Sequence, residues 1–405
     1  MKICVLGAGV IGVSTAYALG RLGHDVSVID KAADVSMGAS HANGAQLSYS
    51  YIDPLASPDT LRKLPTYLLG RDNALQLKFK ADMAYMRWGM SFLRNCTSAR
   101  FDANRKARQA LAELSSAALE SFKLDAPSEL KPTGHGKLVL AQDTADFDKM
   151  KQDDGFVSYE RCLEIEPSLT AWQGNILGGI YAKQDYALNP ITYCKTLKTL
   201  SEQKFGVTYY FGEIVSKILS KNKRIAGIET DQQYHAADMV VVCLGNEALP
   251  LLKPLGIAPR VYSAQGYSLT LKSKKSSPRT SVTDLKNKIV YANLGQEFRI
   301  AGFVDVNQRP NNIEARLELL LQTARKSWPD AADFDGPIAK WTGARPMMPS
   351  GVPVIGEALV EGLYLNIGHG SLGYTFAAGS AMKIANMIGH AQTNMMAKQG
   401  GHNAA

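Results

Sequence analysis

An α/β fold of two domains is predicted, one wound around a parallel sheet and one built on an antiparallel sheet. Three observations predict it. Residues 1–30 read as strand, glycine turn, helix and second strand. An apolar run of the buried-strand type, MVVVCL at 239–244, rejoins that sheet after a three-strand meander. Residues 263–272 and 288–305 alternate polar and apolar, as antiparallel strands with one covered face do.

Residues 2–6 (KICVL) suit a buried parallel strand, and residues 26–30 alternate as a second strand ending on Asp30. Between them Gly7, Gly9 and Gly12 give G-x-G-x-x-G. Gly7 permits the tight turn, Gly9 admits a pyrophosphate close to the backbone, and Gly12 lets helix and strand pack closely. The helix beginning after Ala8, at Val10 and Ile11, offers unpaired N–H groups and a partial positive charge to phosphates. Asp30, with Lys31 beside it, can accept from a ribose hydroxyl pair and would repel a 2′-phosphate. A lone GxGxxG is weak, but this complete βαβ unit with its terminal acid marks a Rossmann-like dinucleotide-binding domain.

Residues 37–50 (MGASHANGAQLSYS) are small, polar and glycine-bearing, suited to wrap a flat ligand or to form a plain loop. Residues 53–70, with Pro54, Pro58 and Pro65, read as irregular, and 76–125 as helices, most regular over 103–122. A strand at 135–141 precedes a helix near 144–152, and 178–182 is a further strand. Asn189 and Pro190 open a helix as cap and first helical residue. The strand 207–211 leads to the meander 214–219, 224–230 and 233–236, and Gly245 caps the strand that follows. Residues 314–328 form a helix and 363–366 a strand. Gly368 to Gly373 then open a small-residue helix through about Met387, and the polar residues 391–405 read as a disordered tail.

The 405 residues suffice for two cores, and 45% hydrophobic with 20% charged residues is ordinary for a soluble enzyme. No run approaches the ~20 apolar residues of a membrane span, and the first strand leaves no room for a signal peptide, so a cytoplasmic protein is expected. Five scattered cysteines without a CxxC pair argue against a disulfide framework and against any metal site. The net charge is +8, and residues 71–108 hold nine Lys or Arg against three Asp, interleaved with bulky apolar side chains. Such a stretch either packs on its own domain with a solvated basic face or lies on an anionic membrane surface.

Beyond the opening GAGVIG, the chain carries LRNC at 93–96, GYSLT at 266–270, WTGARPMMPSGVPVIG at 341–356 and LNIGHGSLGYT at 365–375. Together these resemble the FAD-dependent D-amino-acid dehydrogenases of the glycine oxidase and D-amino-acid oxidase superfamily, over roughly residues 1–390. The resemblance implies a D-amino-acid oxidase-like fold: a discontinuous FAD-binding domain (1–50, 150–250 and 336–390) and a substrate-binding domain (51–149 and 251–335). It implies oxidative deamination, with hydride passing from the substrate α-carbon to flavin N5, the imine hydrolysing to a 2-oxo acid and ammonia, and electrons going to a respiratory acceptor such as a quinone. That acceptor fits a peripheral position at the inner face of the cell membrane.

Arg345 matches the arginine of the family's G-x-R-P stretch, and a guanidinium grips a carboxylate through a planar, bidentate pair. Gly368, Gly370, Ser371, Leu372 and Gly373 would bring backbone N–H groups and a helix dipole to the flavin's pyrimidine end. Tyr267 is the candidate for reaching the substrate, His369 for shaping the flavin pocket, and Ser40, His41, Asn43, Gly44 and Gly245 for lining the cofactor. A histidine in a similar HAAG stretch carries flavin covalently in dimethylglycine and sarcosine dehydrogenases, which makes His41 an alternative attachment point. The rest of the pattern implies noncovalent FAD, and Met347 and Met348 stand where monomeric sarcosine oxidases have an attachment cysteine. A cyclic D-imino acid such as D-proline or D-hydroxyproline, or direct use of oxygen, would suit the same fold. FAD-dependent tRNA modification is the alternative of another class. No RNA-binding domain accompanies it, and no nucleic-acid partner is expected.

Overall fold

The computed structural model describes residues 1–72, 74–77, 82–306 and 312–400. Strand β1 (Lys2–Leu6), helix α1 (Val10–Arg21) and strand β2 (Asp25–Asp30) form the predicted unit, with the two strands parallel. Along β1, Ile3 and Val5 face a layer of helices while Cys4 and Leu6 face the meander. Both faces of the sheet are covered, so its strands are apolar throughout. Met239–Val242 pairs with the other side of β1, and Leu363–Ile367 lies beyond it. Val354–Glu357 and Thr208–Phe211 complete the six strands. Helices Ser98–Lys123, Pro190–Phe205 and Gly373–Gly400 pack with α1 on one face. The antiparallel meander Val215–Lys221, Arg224–Thr230 and Tyr234–Ala236 covers the other.

The second sheet is larger and mixed. Its main path runs Ala339–Met347, Tyr262–Lys272, Glu297–Val306, Ile289–Asn293, Ser281–Asp284, Gly134–Ala141, Gly178–Ala187 and Gln46–Leu47. Pairing is antiparallel except between Ser281–Asp284 and Gly134–Ala141. Helix Ile313–Ser327 packs Leu317 and Leu320 into the core behind it. Gln265 pairs with Asp305 but Tyr267 with Gly302, so Glu297–Val306 carries one extra residue at that point. At this bulge Phe303 takes a φ of 60°, a strained value for a bulky side chain.

Several expectations are corrected. Strands Gly178–Ala187 and Ala339–Met347 belong to the large sheet, so the boundaries expected at 150 and 336 do not follow the sheets. Pairing between strands so distant in sequence leaves no local mark. Residues 53–70 contain the short helices Pro58–Arg62 and Leu64–Leu68, whose prolines stand in the first turn. Leu75–Leu77 is a strand rather than helix, and its partner is Glu297–Val306. The final helix runs on to Gly400, because Ala, Gln, Met and Lys after Gly389 favour helix and no proline stops it. The tail expected to be disordered from 391 is thus helical as far as 400, and residues 401–405 lie outside the described residues.

Helices Ser98–Lys123 and Gly373–Gly400 cross so closely that a Cβ on Gly379 would stand 2.6 Å from the Ser115 nitrogen. Gly379→Ala should therefore cost about 1–3 kcal/mol through overpacking. Gly389→Ala, with open space around its Cβ, should be neutral or stabilise by up to about 1 kcal/mol. Thermal unfolding midpoints of the two variants measure the difference.

Candidate active site

A cleft of about 1200 Å³ runs from the carboxyl ends of β1 and β2 to the floor of the large sheet. At its first end stand Gly7, Gly9, Val10, Ile11, Asp30 and Lys31. Ala8 and Gly12 are buried just behind them. Gly7 has a φ of 101°, which only glycine adopts readily. A Cβ on Gly12 would collide with the Gly7 carbonyl oxygen. The Asp30 carboxylate accepts from Ala8 N at 2.6 Å and Ala32 N at 2.8 Å, and keeps further acceptor capacity. The Val10 N–H, at the start of α1, donates to Ser40 Oγ at 3.0 Å. Lys31 is neutralised by Glu247, 2.7 Å away.

The loop from residue 37 to 50 crosses from this end to the large sheet, and Ser40, Asn43 and Gly44 line the cleft. Ser268 Oγ donates to the Ala42 carbonyl at 2.6 Å, and Arg299 Nη1 to the Asn43 carbonyl at 2.8 Å. His41, half-buried, is not among the lining residues.

Gly245, Gly368, Gly370, Ser371, Leu372 and Gly373 form the opposite wall, where the helix Gly373–Gly400 begins. His369 joins them but is 2% exposed, and burial drives its pKa down to about 3, so the imidazole is neutral. Four lining residues hold a buried polar atom with no partner among the described residues: His369 Nε2, Asn366 Oδ1, Asn246 Oδ1 and the Tyr374 hydroxyl. Such atoms are costly unless a ligand satisfies them. A cradle closed to any Cβ, a helix N-terminus and orphaned polar atoms together fit a large dinucleotide cofactor.

Arg345 rises from Ala339–Met347 into the cleft, and Nη1 donates to the Phe303 carbonyl at 3.3 Å. Its guanidinium lies flat against Gly266, where a Cβ would stand 2.5 Å from Cζ. Burial lowers its pKa, and no carboxylate pairs with it among the described residues. Tyr267 does not join it. The side chain is 1% exposed, its hydroxyl donates to Asp305 Oδ2 at 2.7 Å, and Arg316 reaches the other oxygen of that carboxylate at 2.7 Å. Tyr267 is not among the residues lining the cleft and packs instead in the apolar core of the large sheet.

The family described as "DAO: FAD dependent oxidoreductase" matches residues 2–387. The chain belongs to this family of FAD-dependent oxidoreductases. It is 35% identical to D-amino acid dehydrogenase 2 of Ralstonia nicotianae, over 96% of each chain. It is also 35% identical to D-amino acid dehydrogenase 2 of Pseudomonas aeruginosa, over 96% of this chain and 95% of that one. Among solved structures, glycine oxidase from Geobacillus kaustophilus superposes with a TM-score of 0.73 at 18% identity, covering 96% of this chain and 95% of that one. The dinucleotide that this flavoenzyme's cleft fits is accordingly FAD.

Sequence reasoning missed Arg299, which holds the Asn43 carbonyl, and Lys137, buried in the cleft wall. Both are charged residues on otherwise apolar strands, positions that read as solvent-facing until the loop is brought over them. Gly12→Ala should yield protein without bound flavin, read as loss of the ~450 nm absorbance of a flavin cofactor in the purified protein.

Proposed function

We propose that this chain is an FAD-dependent D-amino-acid dehydrogenase that converts D-amino acids to 2-oxo acids and ammonia. The observation that carries the reading is Arg345: a half-buried guanidinium, unpaired with any carboxylate among the described residues, aimed into the cleft that fits FAD. Relatives named D-amino acid dehydrogenase, at 32–35% identity over nearly their whole length, support the substrate class and its handedness. When bound, FAD accepts the hydrogen and electron pair that leave the substrate α-carbon.

The remaining work falls to the chain. Arg345 grips the α-carboxylate in a bidentate pair and so fixes the orientation of the α-carbon. The Phe303 carbonyl and the face of Gly266 hold the guanidinium flat, which limits the ordering left to be done on binding. A cation beside the substrate lowers the pKa of its ammonium, favouring the neutral amine that must react. The cofactor is held noncovalently. His41 stands outside the cleft, and Cys243, the cysteine among its described lining residues, has its thiol pushed by burial to about 12. A thiol with that pKa supplies no thiolate for attachment.

Arg345→Met should retain flavin but lose about 10²–10³-fold in kcat/KM, the cost of one charge-assisted bidentate contact made in the transition state. Anaerobic bleaching of the flavin by D- but not L-isomers tests the reaction itself. A flavin that no amino or imino acid bleaches would overturn this reading.

The electron acceptor is a quinone reached from the membrane surface, with the protein bound peripherally. Leu61, Leu68, Leu69, Met83, Met90 and Leu93 are all exposed, among exposed Arg62, Arg87 and Arg94. The inner faces of these helices share one apolar cluster around Tyr67, Trp88 and Phe92, so their outer faces crown a single region. Among the described residues no helix is long and apolar enough to cross a membrane. Basic side chains near an anionic surface contribute about 1 kcal/mol each. The protein should co-sediment with vesicles containing anionic lipid, release at high salt, and bind less after Leu69→Glu with Met90→Glu. Equal recovery with and without vesicles would remove the membrane from the proposal.

A further inference from the structure

Besides Arg345, the cleft holds a buried cation. Lys137, on Gly134–Ala141, is 3% exposed and lies in the cleft wall beside Ser48 and Tyr51. Its Nζ donates to Ser48 Oγ at 2.7 Å and stands 4.9 Å from the centroid of the Tyr51 ring. Ser48 in turn donates to Asp185 Oδ2 at 3.2 Å. Asp185 also accepts from the Tyr49 and Ser50 nitrogens and the Ser50 hydroxyl, so its oxygens are engaged in fixing the loop. The other lysines of the cleft are neutralised, Lys31 by Glu247 and Lys288 by Asp72. Lys137, like Arg345, makes no direct ion pair among the described residues, and the Asp185 carboxylate acts on its charge only from beyond Ser48.

An ammonium has three donors, and Ser48 and the Tyr51 face occupy two directions. Burying the third without an acceptor is unfavourable, and a ligand in the cleft can relieve it. The strands between the two cations supply Ala301, Val290 and Thr283 as cleft floor. The Arg345 guanidinium reaches Phe303 on the third strand of the sheet and Lys137 springs from the sixth, about 14 Å across the strands, level with Arg299 and so four residues along from Phe303. The two cations therefore bracket a site for a ligand with two separated anionic groups.

We infer that Lys137 recognises the far end of the substrate side chain, so that this enzyme favours D-amino acids ending in a second carboxylate. The inference rests on the proposed D-amino-acid oxidation and names the substrate class within it. Burial lowers the Lys137 pKa to about 8, which leaves the side chain mostly protonated at pH 7.

The test compares kcat/KM for D-aspartate, D-glutamate and D-2-aminoadipate with that for D-asparagine, D-glutamine and D-norleucine. One acid of the series should exceed its neutral counterpart by about tenfold or more, the length of the best one reporting the span. In Lys137→Met the ratio of acid to neutral substrate should fall by about 100-fold, the loss of one buried charge-assisted hydrogen bond. Lys137→Arg should recover part of it. Wild-type enzyme that oxidises the neutral D-amino acids with no preference for any acid would overturn the inference while leaving the oxidation reading intact. So would a Lys137→Met variant that loses acid and neutral substrates equally, the signature of a proton-transfer, cofactor or folding role. Failure of every D-amino acid to bleach the flavin would instead overturn the reading on which the inference rests.

Discussion

Everything in the cleft depends on holding residues 37–50, a loop whose described part has little regular pairing, between two sheets. Buried backbone without ladder partners must find side chains or water. Here the partners come from both domains. Ser40 meets the first turn of α1, Ser268 and Arg299 hold the Ala42 and Asn43 carbonyls, and Asp185 gathers the Tyr49 and Ser50 nitrogens. Arg299 is 3% exposed, its pKa is lowered by burial to about 10, and Nε bonds Thr270 Oγ1 at 2.9 Å. A buried guanidinium bonded to a carbonyl and a hydroxyl is a costly device, because neither acceptor carries a full charge. What it secures is the path of one loop past the cofactor cradle, the sheet floor and Lys137.

A second constraint is the bulge in Glu297–Val306. One extra residue forces Phe303 to a positive φ and aims its carbonyl at Arg345. The same ring lies under the Arg316 guanidinium, 4.5 Å away, and Arg316 is anchored to Asp305 and through it to Tyr267. The strained residue is thus fixed from behind by a buried network, which is where strain persists in folded proteins. Tyr267 belongs to this arrangement as a support, its ring under Arg316, which in turn covers Phe303.

Legibility in the sequence follows the range of the interactions. The opening βαβ unit, the meander and the helix after Gly373 were readable because their signals lie within a few residues: glycine spacing, period-two alternation, apolar runs. Arg345 was readable because the pattern around it is specific. The side of the strand on which Tyr267 falls was not, since a one-residue change of register reverses it and the bulge that sets it lies in another strand. Lys137 and Arg299 were hidden for a related reason. A charged residue in an apolar strand reads as solvent-facing until the partner loop, some ninety residues away from Lys137 and more than two hundred from Arg299, is brought over it. The assignment of Gly178–Ala187 to the large sheet is of the same kind, long-range pairing with no local signature.

The electrostatics of the cleft follow from these placements. With its pKa near 3, His369 carries no charge at working pH, so it contributes shape and one hydrogen-bonding atom to the cofactor wall. Positive potential at that wall must come from the helix beginning at Gly373 and from peptide N–H groups around Gly370. On the floor it comes from half-buried Arg345 and buried Lys137, neither in direct contact with a carboxylate among the described residues, Asp185 standing beyond Ser48 from Lys137. Two such cations in low dielectric repel one another and are costly in the free protein. They repel a substrate ammonium as well, pressing it toward the neutral form while attracting carboxylates. A fold that tolerates this cost has its binding energy concentrated where an acidic substrate relieves it, and the relief is largest when both cations are met by one molecule.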